Sequence, residues 1–157
     1  MIAYNCIKQN SALSTAADFF TLISGATRSF LVVELDFAGD GSSSTYQEMN
    51  MARVTAAGTG TAPTATVPQS VDDPAVTLAF SGTFYTGAYG TSPPTPAAVP
   101  LHNLMVNANG VRALWKCNPA KDNAYSVPGG AGVGGTLSFR GFAGTGNVSG
   151  RVQIVEI

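Results

Sequence analysis

Residues 30–54 constrain the fold more than any other part of this sequence, because apolar and polar side chains alternate there in steps of two. One side of the extended chain is apolar and carries Leu31, Val33, Leu35 and Phe37. The opposite side carries Val32, Glu34 and Asp36. A turn rich in Gly and Ser follows over residues 39–44, and residues 46–54 form a second strand-like run. This period is typical of half-buried strands, and the polar loop between the two runs predicts a long antiparallel hairpin.

The remainder of the chain is typical of short strands separated by long loops rich in Pro and Gly. Residues 55–75 and 87–100 are such loops, and the Asn-Gly turn signal at 107–110 lies between two further strand-like runs. Two more strands, at 136–142 and 147–157, close the chain. Because no amphipathic helix is convincing, the sequence predicts a single all-β domain over residues 1–157. We expect an antiparallel, jelly-roll-like β-sandwich with long Pro/Gly-rich loops.

Two segments near the N-terminus allow more than one interpretation. Residues 1–17 fit an extended N-terminal arm. In residues 16–24, the approach to Asp18 resembles a helix start, whereas Phe20 and Leu22 alternate as in a strand that ends at Ser24. We favour a strand because the segment is aromatic, contains a threonine and leads directly into the strand at Phe30.

The composition favours a surface that rests against other subunits. Only 11% of the 157 residues are charged, against roughly 25% in typical soluble domains. The net charge of −1 and the lack of a basic stripe argue against an electrostatic nucleic-acid interface. No apolar run approaches the length of a membrane span, and the N-terminus lacks the order of a secretory signal, so we expect synthesis in the cytosol. Cys6 and Cys117 are expected to be free thiols.

Catalytic and cofactor motifs are weak. The single histidine, His102, follows a proline-rich loop and has no nucleophile motif beside it, which argues against a Ser-His-Asp arrangement. Gly130, Gly132 and Gly135 match the G-x-G-x-x-G pattern. That fingerprint needs a strand before it and a helix after it, and here a strand-like run follows instead. We therefore expect no enzymatic activity and no cofactor.

The sequence patterns that could indicate a metal site or an acid/base pair are also weak. Oxygen donors for calcium are offered by Asp36, Asp40 and Ser42 to Ser44, and also by Asp72 and Asp73, but neither group fits a known loop pattern. We therefore expect no metal. Charged residues within strand-like runs are Glu34, Glu48, Arg53, Arg112 and Arg140. We interpret them as outward-facing cross-strand or intersubunit pairs.

A series of short motifs runs through the chain. In order they are Asp18-Phe19-Phe20, Glu34-Leu35-Asp36, the run from Glu48 to Val54, Pro63-Thr64, Asp73-Pro74-Ala75, Trp115 followed by Pro119, and Glu156 in the last strand. In this pattern most of the chain resembles a group of tailed-bacteriophage head decoration, or cement, proteins. The resemblance implies a β-sandwich or jelly roll made in the host cytoplasm. It also implies binding as a homotrimer to the major capsid protein on the outside of the head. Direct contact with nucleic acid or membrane is not expected.

The expected contacts lie on loops 39–45, 58–73 and 87–100 and on the N-terminal segment. Candidate interface residues are Asp40, Ser43, Tyr46, Pro63, Asp73, Tyr89, Pro94 and Pro96. The alternative is a carbohydrate- or receptor-binding module of a head or tail fibre, in which aromatic residues line a groove. The candidates for that groove are Tyr85, Tyr89, Trp115 and Tyr125. A small hydrolase and a major capsid or tail-tube subunit are further alternatives.

Overall fold

The computed structural model describes residues 2–39, 46–71, 80–107, 112–118, 124–130, 132–144 and 146–157. These residues form thirteen β-strands and one short 3-10 helix, Val133–Gly135. The strands are β1 Ile2–Ala12, β2 Asp18–Ile23, β3 Phe30–Gly39, β4 Tyr46–Ala56, β5 Ala65–Thr66, β6 Gln69–Ser70, β7 Thr83–Tyr85, β8 Thr95–Pro96, β9 His102–Asn107, β10 Arg112–Lys116, β11 Tyr125–Val127, β12 Thr136–Ala143 and β13 Asn147–Glu156. The glycine-rich run before β12 therefore leads into a strand, and not into the helix that a dinucleotide site needs.

The strands form two antiparallel sheets that pack face to face. Sheet A has the order β10-β3-β13-β1-β6, with β11 also paired to β3. Sheet B has the order β5-β7-β2-β12-β4-β8, with β9 also paired to β4. The eight longest strands form four antiparallel pairs: β1 with β13, β2 with β12, β3 with β10, and β4 with β9. This wrapping is the jelly-roll topology, so the predicted all-β sandwich is confirmed.

The two strands that residues 30–54 contain lie in opposite sheets, so the hairpin predicted for this segment is wrong. β3 belongs to sheet A and β4 to sheet B. The runs on either side of the Asn-Gly turn separate in the same way, since β9 joins sheet B and β10 joins sheet A. An alternating pattern identifies the apolar side of a strand but not its pairing partner. Crossing between sheets lets the apolar sides of successive strands face each other through the core.

A β-bulge in β3 changes which residues face the core. The register of β13 against β3 shifts between Gln153 and Ile154, which leaves Val33 as an extra residue. The core-facing residues of β3 are Phe30 and Val32 before the bulge, and Leu35 and Phe37 after it. The expectation that Val32 lies on the side of Glu34 is therefore wrong, because a bulge shifts the alternation by one residue.

The core is centred on a cluster of phenylalanine rings contributed by both sheets. Phe20 of β2 lies in the middle of this cluster and is fully buried. Its ring centroid is 4.7 Å from that of Phe19, 5.2 Å from Phe84, 5.8 Å from Phe139 and 5.9 Å from Phe37. Because Phe37 belongs to sheet A and the others to sheet B or its edge, these rings hold the two sheets together.

The N-terminal residues belong to the two sheets. β1 runs through the segment that the sequence allows as an extended arm, and it pairs with β13 from Ile2 to Ala12. Residues 16–24 contain β2, so the strand interpretation is confirmed for that segment. Cys6 and Cys117 are both buried and neither forms a disulfide, as predicted.

The outer face of sheet B is partly covered by the connection between β4 and β9. Arg140 of β12 donates a hydrogen bond to the carbonyl oxygen of Pro94, at 2.6 Å. The amide of Ala97 donates to the carbonyl oxygen of Arg53, at 2.7 Å. We call residues 87–97 the cover. The outer face of sheet B is thereby divided into a covered half and an open half.

Candidate functional site

The covered half of sheet B buries a network of four polar side chains: Asp18, Thr21, Ser138 and Arg140. The register of β2 against β12 places Arg140 opposite Asp18 and Ser138 opposite Thr21. The Asp18 carboxylate accepts hydrogen bonds from Thr21 Oγ1 at 2.9 Å, Ser138 Oγ at 2.7 Å and Arg140 Nε at 2.7 Å. Since Arg140 also donates to the cover at Pro94, the network clamps the cover onto the sheet.

Burial has the largest effect on the pKa of Asp18 in this network. It raises the pKa of Asp18 above the ordinary value of an aspartate, although the hydrogen bonds from Ser138 and Arg140 and the Arg140 charge act in the opposite direction. Tyr89 lies close by in the cover, and burial raises its pKa as well. The clamp therefore contains a carboxylate that accepts a proton more readily than an exposed aspartate does.

The open half of sheet B carries three large apolar side chains. Tyr46 of β4 is 56% exposed, Met105 of β9 is 61% exposed and Phe142 of β12 is 63% exposed. Glu48 lies among them, since it is opposite Met105 on one side and Ala143 on the other. We call Tyr46, Glu48, Met105 and Phe142 the apolar patch. Single exposed apolar residues are ordinary, but several together on one sheet face are typical of an interaction site.

A pocket of about 360 Å³ lies where the apolar patch meets the cover. Its lining includes Asn50, Ala52, Ala97, Ala98, Arg140 and Phe142. The three alanines leave the space, because larger side chains at these positions would fill it. The pocket is therefore a product of short side chains on β4, at the last residue of the cover and at the residue that follows it.

Asn50 is the polar side chain in this pocket with an unused hydrogen-bonding atom. Its Oδ1 is buried and has no hydrogen-bond partner among the described residues. A buried acceptor without a donor costs about 1–3 kcal/mol. Asn50 lies on the same strand as Tyr46 and two residues beyond Glu48, so its side chain belongs to the same sheet face. Because this oxygen is buried away from solvent, it belongs to the protein interior and is not an open acceptor in the pocket.

The outer face of sheet A holds five charged side chains that pair across strands. Arg151 of β13 contacts both Glu34 and Asp36 of β3. Lys116 of β10 pairs with Glu34 at 3.1 Å, and Arg112 forms an ion pair with Asp36. The hydrogen bond from Arg112 lowers the pKa of Asp36 below its ordinary value. Cross-strand pairing is therefore right for Glu34 and Arg112, although Glu34 itself is buried beneath its partners.

Two of the other charged residues have partners that the sequence did not indicate. Arg140 forms a cross-strand pair with Asp18, as expected, but this pair is buried beneath the cover. Arg53 of β4 donates to the carbonyl oxygen of Ser126 in β11, at 2.7 Å, and so links sheet B to sheet A. Of the proposed calcium donors, Asp36 is held by arginines, and residues 40, 42–44, 72 and 73 lie outside the described residues.

His102, Trp115 and Tyr125 form an aromatic cluster where β9, β10 and β11 meet. The ring centroids are 5.0 Å apart for Trp115 and Tyr125, 5.5 Å for His102 and Trp115, and 5.7 Å for His102 and Tyr125. His102 Nδ1 lies 2.9 Å from the Tyr125 hydroxyl oxygen. Trp115 and Tyr125 pack against the core. This geometry fits a packing role for His102, since the ring closes one edge of the sandwich.

We expect His102 to be neutral at about pH 7 and to destabilise the fold on mild acidification. Partial burial lowers its pKa below the ordinary value of 6.5, so the unfolded chain binds the proton first as the pH falls. The free energy of unfolding should therefore decrease as the pH falls from about 6.5 toward the folded-state pKa. NMR titration of this single histidine, with urea unfolding of a His102→Gln variant, checks the expectation. A pKa at or above 6.5 would contradict it.

The structure places the predicted interface residues in several different surroundings. Tyr46 lies on the apolar patch, and Pro96 lines the adjoining pocket. Tyr89 and Pro94 belong to the cover, where Pro94 is buried, and Pro63 is half-buried in the same connection. Asp40, Ser43 and Asp73 lie outside the described residues. Tyr46 and Pro96 thus lie near opposite ends of β4, Tyr46 on the strand and Pro96 on the segment paired with it.

The four aromatic residues proposed for a binding groove fall into two pairs. Tyr85 of β7 and Tyr89 of the cover are 5.9 Å apart between ring centroids. Trp115 and Tyr125 belong to the cluster at the edge formed by β10 and β11. The described residues therefore supply two aromatic pairs on different elements.

Sequence reasoning missed Met105, Phe142 and Asn50. Met105 falls out of phase with the core residues of β9, and Phe142 with those of β12, so both were apolar residues on an outward side. That signal was available in the alternation. The position of Asn50 in a pocket depends on where the cover lies, which no local pattern indicates.

Comparison of the chain with protein-family models, with curated proteins and with solved structures gives no match. Among the described residues, His, Cys, Asp and Glu side chains form no group of three or more that could hold a metal ion. The same part of the chain contains no helix long and apolar enough to span a membrane. The function is therefore argued from the surface of the molecule.

Proposed function

We propose that this protein is a decoration protein of a tailed-bacteriophage head, which binds the major capsid protein from outside and stabilises the shell. The observation that carries the proposal is the apolar patch on the open half of sheet B. It supports a protein that works by binding, while the sequence resemblance supplies the phage head as the place. In this proposal the protein assembles as a homotrimer, and each copy bridges neighbouring capsid subunits.

The physical requirements of such a role match the described surface. A stable interface buries roughly 800 Å² on each partner and has a centre that is depleted in charge and rich in aromatic residues and Met. The apolar patch supplies Tyr46, Met105 and Phe142 for such a centre. The rigid jelly roll holds these side chains on paired strands, so little order has to be gained on binding.

The test uses virus particles with and without this protein. We expect mass spectrometry to find it in purified heads at a fixed ratio to the major capsid protein, and particles that lack it to release DNA at a lower temperature. A Met105→Asp variant should fold normally but lose occupancy on heads, because it removes an apolar contact and places a second negative charge opposite Glu48. Leu114→Asp is the matched control, since Leu114 of β10 is 57% exposed in sheet A, away from the apolar patch and from the loops expected to make contacts.

Two outcomes would contradict the proposal. One is particles that are equally robust without the protein, and the other is equal occupancy for the two aspartate variants. Light scattering of the isolated protein tests the assembly state separately, with three times the chain mass of 16.0 kDa expected.

A carbohydrate- or receptor-binding module is the second candidate, and the cluster of His102, Trp115 and Tyr125 favours it. Two adjacent aromatic rings, tilted by 39° to each other, lie beside a polar ring nitrogen and offer apolar contact area with a hydrogen-bonding edge. A reproducible hit on a glycan array that is lost in a Trp115→Ala variant would support this candidate. Particles that lose adsorption, but not head stability, would point to the same conclusion.

A further inference from the structure

The edge of sheet A at β1 is only partly covered. β6 pairs with β1 as far as Asn5, and among the described residues no strand continues this pairing further along β1. On this side the carbonyl oxygen of Ala3 accepts a hydrogen bond from the amide of Val71, at 2.9 Å. Backbone groups of alternate residues point the same way in an antiparallel strand. The amide and carbonyl groups of Ile7 and Gln9 therefore face the uncovered edge.

A pocket of about 430 Å³ lies beside this edge, between β1 and the connection from β5 to β6. Its lining includes Ile7, Gln9, Val67 and Phe84. Ile7 and Val67 are both exposed apolar residues. We call Ile7, Lys8, Gln9 and Val67 the open edge. It combines free backbone groups with apolar contact area, which are the two features that an added strand uses.

Lys8 points between the two sheets at the open edge. It lies opposite Gly150 of β13, where a side chain would collide with the core ring of Phe37. Its Nζ atom donates to the carbonyl oxygen of Phe19 at 3.1 Å and lies 4.7 Å from the centroid of the Phe19 ring. In the part of the chain that the structure describes, no carboxylate forms an ion pair with Lys8. Burial lowers its pKa, so Lys8 is a half-buried cation without an anion.

This cation selects the kind of strand that the open edge accepts. An added strand would satisfy the backbone groups of Ile7 and Gln9, but it would also bury the Lys8 ammonium further. Burying an unpaired charge is strongly unfavourable, and lysines on edge strands commonly prevent strand addition for this reason. A carboxylate opposite Lys8 offsets that cost by pairing with it. The open edge therefore rejects a neutral strand and admits an acidic one.

We propose that the open edge receives an extended acidic segment of the protein partner, which adds to sheet A as an antiparallel strand in line with β6 and places a carboxylate against Lys8. The proposal rests on the proposed function, which supplies the capsid protein as the partner. It adds a second contact at the edge of the sandwich away from β9, where main-chain hydrogen bonds give affinity and the Lys8 pair gives specificity.

A second copy of β1 is not the occupant. β6 takes the edge at Asn5, and the register of β1 against β13 breaks between Lys8 and Ser11. An antiparallel self-pairing that fits between these limits is centred on Lys8, and it would place the Lys8 ammonium groups of the two copies opposite each other. Like charges directly opposite in a sheet are destabilising. The added strand therefore comes from a different protein.

The test is an NMR titration of the full-length, ¹⁵N-labelled protein with the peptide acetyl-Ser-Val-Glu-Val-Ser-amide and, separately, with the same peptide carrying Gln in place of Glu. We expect the amide signals of Ile7, Lys8, Gln9 and Val67 to shift, with a dissociation constant on the order of 1 mM. The glutamate peptide should bind about fivefold to tenfold more tightly, because only it pairs with the Lys8 ammonium.

A Lys8→Met variant should bind the two peptides equally, because it keeps the apolar stem of the side chain and removes the charge. Lys116→Met is the matched control, since Lys116 lies on β10 at the other edge of sheet A and should leave the preference for glutamate intact. Ile7→Pro removes the amide that faces the open edge but no hydrogen bond to β13, so it should abolish binding of both peptides without unfolding the protein.

N-methylated peptides test whether the peptide binds as a strand. When the glutamate lies opposite Lys8, the two valines lie opposite Ile7 and Gln9, and their amides face β1. A peptide N-methylated at both valines should therefore not bind, whereas one N-methylated at the glutamate should still bind. Any result other than this selective loss overturns antiparallel strand addition.

Two further outcomes overturn the proposal: equal affinity of the glutamate and glutamine peptides for the unchanged protein, or no shift at the open edge up to the solubility limit. If the peptides fail while heads without the protein are still fragile, the decoration role stands and the strand-addition site falls. If the peptides bind while such heads are equally robust, the site stands and the decoration role falls.

Discussion

Replacing Phe20 with alanine is expected to lower the free energy of unfolding by about 4 kcal/mol. The ring is fully buried and lies among the four neighbouring phenylalanine rings. Removing it leaves a cavity that rigid strands from two sheets cannot close, so the lost contacts add to the lost transfer free energy. Urea unfolding measures the change, and the melting temperature should fall by roughly 10 °C.

Phe142→Ala is the matched control for this prediction, because it makes the same chemical change on the same fold at an exposed position. The Phe142→Ala variant should lose no more than about 0.5 kcal/mol of the free energy of unfolding. Similar losses for the two variants would mean that the phenylalanine cluster does not hold the sheets together. A small loss for Phe20 alone would mean that neighbouring residues relax into the space.

The sequence predicts the class of the fold better than its strand pairing. Alternation and the many Pro and Gly residues indicate an all-β sandwich, since these signals are local and depend on burial of one side of each strand. Pairing depends on which strands meet across space. The run over residues 30–54 therefore suggested a hairpin, although β3 and β4 face each other from different sheets. The bulge at Val33 could not be predicted from the sequence either, because it is defined by the register in which β3 pairs with β13.

The candidate site was partly predictable from local patterns. Tyr46 and Pro96 were named from the loops and strands that carry them, and Met105 and Phe142 were visible as apolar residues out of phase with their strands. The buried network around Asp18 and the pocket at Asn50 were not predictable. Both are produced by the cover, whose path over sheet B is set by contacts between residues far apart in the chain, such as Arg140 with Pro94.

Replacing Arg140 with methionine is expected to lower the free energy of unfolding by about 3 kcal/mol near neutral pH. The loss should be smaller in acid. The substitution leaves the Asp18 carboxylate buried with its two hydroxyl donors but without its cation. Burial already raises the pKa of Asp18, and loss of Arg140 removes an opposing influence, so the pKa rises further. A folded-state pKa above the unfolded value means that the folded protein binds the proton more tightly. The deficit relative to the unchanged protein should therefore shrink as the pH falls from about 7 to about 5.

The Asp18→Asn, Arg140→Met double variant separates charge from packing in this prediction. It has no carboxylate to protonate, so its deficit should be independent of pH over the same range. Arg53→Met is the second control, because Arg53 makes a single described hydrogen bond to a backbone carbonyl and should cost about 1 kcal/mol at every pH. Urea unfolding of the three variants and of the unchanged protein at several pH values measures how each loss of stability depends on pH. If the Arg140→Met deficit stays constant with pH, Asp18 is not the group left uncompensated, and the cover is held by the hydrogen bond to Pro94 and not by the buried ion pair.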